Sequence, residues 1–318
     1  MIAPASIVPA TTLLGSALQA PVAGFAPLWF RNELIGAVSP AWLPRLDSRL
    51  FKLQDDADSD LPVVRIRGGD RRSESGLVPA ATLNRWFAEW AQSLKDQGLL
   101  AGWRGEAVQL YGANEAAPLL ELERALLRPL GLMLRTVQVN VFSFQDKRLG
   151  VWVAQRAASK AVDPDKLDSL VGGGIQGGDT PLETLVRECQ EEAGIPRNLA
   201  RRSVPVGVID STAAVFDAGD PVLHRERTML YDLKVPLDFI PKPEDGETAA
   251  VQCLSARALQ DSLASGRWTN EGAWATRDLL RRYASVAASA AVAAAPQTGV
   301  PADAAAHPRV SRKGPPAS

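Results

Sequence analysis

The clearest alternation of apolar and polar positions lies in residues 79–97, where Leu83, Trp86, Phe87, Trp90, Ala91 and Leu94 recur every three or four residues. That period predicts a helix with one buried face, closed by Gly98. The aromatic stripe is read first as core and second as a platform for a flat ligand. A second helical stripe runs through Leu182, Leu185, Val186, Cys189 and Ala193. Short apolar runs between Gly, Pro and Asp predict strands over 35–38, 61–67, 106–111, 137–144, 149–156, 204–209, 227–235 and 250–254. Helices are expected over 118–127, 255–265 and 271–283, with a helix start at Ser39-Pro40 and an alanine-rich extension over 284–294. Residues 55–60 and 68–75 read as loops, and 145–148 as a turn.

The second stripe carries its own start and stop signals. In Thr180-Pro181-Leu182-Glu183, the Thr180 hydroxyl can accept from the Glu183 backbone, and Glu183 can reach back to Thr180. Pro181 falls where a helix needs no N–H, and Gly194 supplies a left-handed stop. The helix therefore spans about 181–193. Off its apolar face lie Glu188, Glu191 and Glu192, within one turn of each other. Like charges at that spacing cost a few tenths of a kcal/mol per pair, roughly. Glu191 and Glu192 also sit at the end where the helix dipole disfavours anions. A hard cation such as Mg²⁺ or Mn²⁺, bound by carboxylate oxygens, relieves both penalties. The plain alternative is a glutamate-rich surface helix.

From Gly173, through Asp179, to Arg187-Glu188-Cys189-Gln190-Glu191-Glu192-Ala193-Gly194-Ile195, the spacing resembles the Nudix box of hydrolases that cleave a nucleoside diphosphate linked to another moiety. One position departs, since the family has Glu where this chain has Asp179. The resemblance implies a Nudix α/β/α sandwich with a mixed sheet, preceded here by a smaller α+β N-terminal domain. It implies Glu188, Glu191 and Glu192 as metal ligands and catalytic carboxylates, with the Gly173 carbonyl as a further ligand. Arg187 is expected to orient the glutamates by ion pairing. Glu247, in a Pro/Gly-rich loop, is either a further ligand or general base, or a solvated loop acid. Arg156 and Lys160 either hold phosphate oxygens or form a solvated pair. His224 is read as an ordinary loop histidine.

Composition narrows the partners. A net charge of −1 provides no basic footprint for nucleic acid. Two cysteines, Cys189 and Cys253, make no disulfide framework, and two histidines, His224 and His307, exclude a histidine-rich zinc site. No Lys or Arg precedes Arg31, so a secretory leader is not expected, and no apolar run reaches membrane-spanning length. The expectation is a cytoplasmic monomer or homodimer acting on a small-molecule diphosphate, without nucleic-acid or membrane partners.

Further similarity lies in Arg156, Lys160, the run LDSLVGGGI around Asp168, and residues 238–247. These look like the Nudix branch related to the C-terminal part of fungal thiamine pyrophosphokinase. Trp103-Arg104-Gly105-Glu106 and Leu122-Glu123-Arg124-Ala125 resemble the extra N-terminal domain of that branch. The branch implies oxidised or damaged thiamine diphosphate as substrate type. ADP-ribose, a dinucleotide or an oxidised nucleotide is the alternative, and a non-catalytic ligand-binding Nudix protein is a third reading. The expected division is an extension over 1–24, an α+β domain over 25–130, the Nudix domain over 131–285 and an Ala/Pro-rich disordered tail over 286–318.

Overall fold

The computed structural model describes residues 22–68, 78–113, 117–146, 148–160, 163–244 and 246–294, with side chains as far as Tyr283. The expected N-terminal extension, most of the 68–75 loop and the Ala/Pro-rich tail fall largely outside these residues.

Near the N-terminus, β1 (Ala26–Phe30), β2 (Glu33–Val38), β3 (Phe51–Gln54) and β4 (Val63–Ile66) form a sheet in the order β2-β1-β4-β3, with β1 and β4 parallel. Helix α1 (Ala80–Asp96) buries Leu83, Phe87, Trp90, Ala91 and Leu94 in the same hydrophobic cluster as Leu28, Phe30 and Val64 of this sheet. Phe51 meets Phe87 and Trp90 edge-on, with ring centroids 5.8 and 5.3 Å apart. The aromatic stripe is therefore core. Each such side chain contributes about 1.5–3 kcal/mol by leaving water.

The hairpin β5 (Ala107–Tyr111) and β6 (Pro118–Glu123) follows. It corrects the helix expected over 118–127, which is a strand ending in a short 3-10 turn at Arg124–Leu126. Leu119, Leu122 and Leu126 fit a helical spacing, but Leu120 and Leu122 fit a strand, and pairing with β5 decides. The helix start at Ser39-Pro40 is also corrected, since only a 3-10 turn, Leu43–Arg45, lies there.

The larger sheet contains β7 (Met133–Gln145), β8 (Arg148–Arg156), β9 (Leu167–Ser169), β10 (Val171–Gly174), β11 (Val204–Asp217), β12 (Asp220–Lys234) and β13 (Thr248–Ser255). Its path is β11-β12-β7-β8-β13, with β10 paired to β7 and β9 to β8. β12 runs parallel to β7, and the other pairs are antiparallel, so the sheet is mixed. Alternation along β7 sends Val137, Val139 and Val141 to one face, against Leu185, Val186 and Cys189 of α2 (Pro181–Ala193). A short helix, α3 (Arg197–Ala200), packs beside α2. On the opposite face Leu230 and Ile209 meet Ala275 of α5 (Asn270–Ala294), and α4 (Ala256–Leu263) follows β13. The result is an α/β/α sandwich with an additional N-terminal sheet.

β11 and β12 are much longer than expected from the sequence. Their two-residue turn places Ala218 and Gly219 at φ 50° and 90°, the geometry that suits a tight hairpin. His224 is thus a strand residue of β12, not a loop histidine.

Described residues up to Leu280 cluster as one compact unit, and the rest of α5 belongs to a second. Within the first unit, β2 abuts the Leu130-Gly131 turn. Ala37 N–H donates to the Leu130 carbonyl at 3.0 Å. Arg225, only 2% exposed, donates from Nη1 to the Ile35 and Gly131 carbonyls at 2.9 and 3.0 Å. Burial pulls its pKa down to about 10, so it stays cationic at neutral pH.

Candidate active site

Helix α2 forms with the caps its sequence encodes. Thr180 N–H donates to Glu183 Oε2 at 2.8 Å, and Glu183 N–H donates to Thr180 Oγ1 at 3.2 Å. The bonds the Glu183 carboxyl accepts, first from the Thr180 N–H and then from the Thr180 hydroxyl, hold it below its ordinary range. Gly194, at φ 63°, ends the helix. The buried stripe differs from expectation at one place. Leu182 is 38% exposed, and Thr184 is buried in its stead. Cys189 packs in the core, where burial pushes its thiol up to about 12. Glu192 and Glu188 nearby act in the same direction.

The three box glutamates have different partners. Arg187 Nη1 sits 2.7 Å from Glu188 Oε1 and 3.5 Å from Glu191 Oε2, while its Nη2 is 3.7 Å from Asp179. Glu192 Oε2 accepts from Gly172 N–H at 2.7 Å. The Glu188 carboxylate lies against the bare Cα of Gly173, in space that a Cβ there would fill. As placed, no three His, Cys, Asp or Glu side chains among the described residues close on one point. Their chemistry and placement still fit a hard divalent cation. Glu188, Glu191 and Glu192 offer only oxygen donors, the glycine leaves the cradle open, and all of them face one cavity.

That cavity has a volume of about 540 Å³. Arg156, Lys160 and Glu247 line it too, with Gly173, Arg187 and the three box glutamates, so the expected catalytic, metal and phosphate residues border the same space. Arg156 donates to the Asp163 carbonyl at 3.1 Å and lies 3.4 Å from Asp168. Lys160 is ion-paired with Glu247, and Ala157 N–H donates to the Glu247 carbonyl at 2.8 Å. The N-terminal region supplies another wall. Arg124 lies 3.0 Å from Glu106 and packs against Gly174, and Gly177 N–H donates to the Ala107 carbonyl at 2.8 Å. Among described residues, ten carboxylates and seven Arg or Lys side chains line the cavity, so it is net acidic.

Sequence reasoning assigned no role to the far end of this cavity. Asp168 from β9, Glu226 from β12 and Glu271 from the first turn of α5 gather there, with Gln138, Thr136 and Thr228 of the sheet. Burial raises the Asp168 pKa against the opposing pull of Arg156, Thr269 and the Ser169 N–H. At Glu226 burial again works upward, but His224, Thr136 and Thr228 outweigh it and hold that carboxyl low. Glu271 is raised by burial and then by the charges of Glu226 and Asp168, and Ser211 Oγ donates to it at 3.3 Å. Only Asp168 had a sequence signal, in the run before the glycines. The others come from segments far apart in the chain.

A raised carboxyl adds stability that is fully present below its unfolded value and lost as pH rises through the elevated folded value. The wild-type Glu271 carboxyl therefore contributes less stability as pH rises above the ordinary carboxylate range. Glu271→Gln is accordingly expected to raise Tm by roughly 1–3 °C at pH 7.5. The gain should vanish below the ordinary value of 4.5. Thermal melts at both pH values check this, and a variant that melts lower than wild type at pH 7.5 contradicts it.

Comparison with known proteins finds similarity over the part of the chain that supplies most of the cavity lining. Residues 134–272 match the NUDIX domain model. Nudix hydrolase 24, chloroplastic, of Arabidopsis thaliana is 35% identical over 170 residues, covering 54% of this chain and 46% of that protein. An uncharacterized protein of Saccharomyces cerevisiae is 26% identical over 246 residues, covering 74% and 70%. A Deinococcus radiodurans crystal structure aligns with a TM-score of 0.40 at 21% identity, over 56% of this chain and 98% of that one. The chain spans about half the length of the Arabidopsis relatives it matches. Residues 134–272, which include the box helix, are thus similar to the NUDIX domain, and Nudix hydrolases of Arabidopsis are among the proteins the chain resembles.

Proposed function

We propose that the chain is a divalent-metal-dependent Nudix pyrophosphohydrolase. In this reading it cleaves a diphosphate linkage, taking an oxidised or damaged thiamine diphosphate to the monophosphate plus phosphate. The observation that carries the hydrolase reading is the shared cavity. Glu188, Glu191 and Glu192 of one helix border the same space as Arg156, Lys160 and Glu247. The thiamine-like substrate rests on the motif resemblance in residues 156–174 and 238–247.

Glu188, Glu192 and the Gly173 carbonyl would hold the first cation, Mg²⁺ or Mn²⁺, with Glu191 sharing a second. When bound, a divalent cation offsets the diphosphate charge and acidifies adjacent water. Arg187 fixes the glutamates in place by its pairing with Glu188 and Glu191. Arg156 and Lys160 release their present carboxylate partners to hold phosphate oxygens. That exchange breaks the Lys160–Glu247 pair, and Glu247 then accepts the proton of the attacking water.

The test is product release from oxidised thiamine diphosphate, ADP-ribose, a dinucleoside polyphosphate and an oxidised nucleotide, with Mg²⁺ and with EDTA, products resolved by mass. Metal-dependent release from the thiamine compound with the highest kcat/KM is the expected result. Faster cleavage of ADP-ribose to AMP moves the substrate to the alternative class. Ligand affinity without turnover at any Mg²⁺ or Mn²⁺ concentration overturns the enzyme and leaves a binding protein.

A further inference from the structure

The two stretches of chain that line the cavity bring opposite charge to it. Within residues 134–272, nine lining carboxylates face four Arg or Lys side chains among the described residues. Each of those four cations already has an acceptor, Arg156 and Arg225 on backbone carbonyls, Lys160 on Glu247 and Arg187 on Glu188. Residues 101–132 bring Arg104, Arg124 and Arg128 against one acid, Glu106. Phosphoryl transfer needs positive groups beside the charge that develops, and this wall is where the positive excess lies.

Arg124 is the member of this wall that lies over β10. Its backbone is fixed at the start of the 3-10 turn, where Arg124 N–H donates to the Glu106 carbonyl at 2.9 Å and Ala125 N–H donates to Glu123 Oε1 at 3.3 Å. Nη1 donates to Glu106 Oε2 at 3.0 Å. The edge formed by Nε and Nη2 faces away from Glu106, and a Cβ built on Gly174 would stand 3.9 and 3.7 Å from those two nitrogens. Neither has a hydrogen-bond partner among the described residues. Gly173 and Gly174 are successive residues of β10, so Glu188 and Arg124 flank that strand from its two faces. Glu192 meets the same strand at Gly172 N–H. The open fork of Arg124 therefore lies beside the strand that the box glutamates surround, and it lines the same cavity.

We propose that Arg124, which lies outside the segment similar to the NUDIX domain, is a substrate-binding residue whose Nε and Nη2 together take two oxygens of the diphosphate. The inference rests on the diphosphate reading above and adds to it a residue from another part of the chain. It also gives the N-terminal region a function, which is to present this arginine to the cavity. Planar recognition of two oxygens is what a guanidinium offers and an ammonium does not. Arg156 and Lys160 must leave a partner before they can hold an anion, whereas the Arg124 fork is open already. Glu106 holds Nη1 and leaves the fork clear, so it is a positioning residue.

The probe is methylenediphosphonate, a diphosphate analogue that resists hydrolysis, titrated calorimetrically into the full chain with Mg²⁺. Arg124→Met is expected to weaken binding by roughly thirtyfold, and Arg124→Lys, which keeps the charge and loses the fork, by roughly tenfold. Glu106→Gln separates holding the anion from holding the fold. It removes the ion pair but leaves the fork, so affinity should stay within about threefold of wild type. Affinity in Arg124→Met within about twofold of wild type, or equal losses in Arg124→Met and Glu106→Gln, overturns the proposal. Melting curves report folding. Should Arg124→Met not fold, Arg124→Lys decides, a loss of about tenfold upholding the proposal and wild-type affinity overturning it. If wild type does not bind the diphosphonate, the diphosphate reading fails, and titration with inorganic phosphate decides Arg124 separately. Phosphate binding that is lost in Arg124→Met upholds the anion role, and binding that is unchanged or absent overturns it.

Discussion

Replacing Glu192 by Gln is expected to lower kcat by on the order of 10³ while the protein stays folded. The two roles of this side chain separate cleanly in that substitution. In the structure Glu192 Oε2 accepts from Gly172 N–H. The glutamine carbonyl keeps that acceptor, so Tm should stay within about 2 °C of wild type. What disappears is the negative charge, which a hard cation needs and a backbone N–H does not. Mg²⁺ titration followed by melting temperature gives a readout without substrate. Wild type should be stabilised by the ion, and the variant much less. Activity within threefold of wild type would remove Glu192 from the metal site, and a collapse of Tm would make it a structural residue. Glu183→Ala on the same helix is the control. It removes the carboxylate half of the capping box, the acceptor of the Thr180 N–H, at a cost of about 1 kcal/mol and leaves the box carboxylates untouched.

The largest expected loss of stability lies far from that helix, at Gly131. Its φ is 56°, and a Cβ there would overlap the Ala37 carbonyl oxygen and stand 2.9 Å from the Ala37 nitrogen. Gly36 has the reciprocal constraint, with its missing Cβ directed at the Leu130 carbonyl. Both obstacles are backbone, so no side-chain rotation relieves them. Gly131→Ala should cost roughly 3 kcal/mol or more, combining left-handed strain with forced separation of two chain segments. For a domain of this size that corresponds to a fall in Tm of roughly 6–12 °C. Gly98→Ala tests the division of that cost, since Gly98 has φ 68° but nothing within 4 Å of a Cβ. It should lose only the conformational part, about 1 kcal/mol. Equal losses at the two positions would show that the close approach contributes nothing.

What was legible in the sequence was whatever local physics determines. Thr180, Pro181, Glu183 and Gly194 act within a few residues of one another, so α2 appears where its caps place it. The stripe of α1 is legible for the same reason. The segment from Pro118 was misread because its leucines satisfy both periods, and the deciding partner lies elsewhere in the chain. β1 and β3 carry no strong alternation, and their strand character comes from sheet pairing. His224 looked like a loop residue because Gly219 and Pro221 precede it. Gly219 instead lies in the turn, and Pro221 pairs with Phe216 one step beyond the first pair of a long hairpin. The box end of the cavity was readable because one helix supplies it. The Asp168, Glu226 and Glu271 end was not, because three elements meet only after folding.

Arg225 sets a limit on how this chain can be cut. A fragment starting after Gly131 would keep the guanidinium but lose both carbonyls that receive it, Ile35 and Gly131 itself. The liberated fragment would deprive this buried cation of two of its acceptors and uncover the strand that carries it. Shortened versions made for crystallisation or for grafting onto another scaffold should therefore retain everything from β1 onward, or replace Arg225 with a neutral residue of similar bulk.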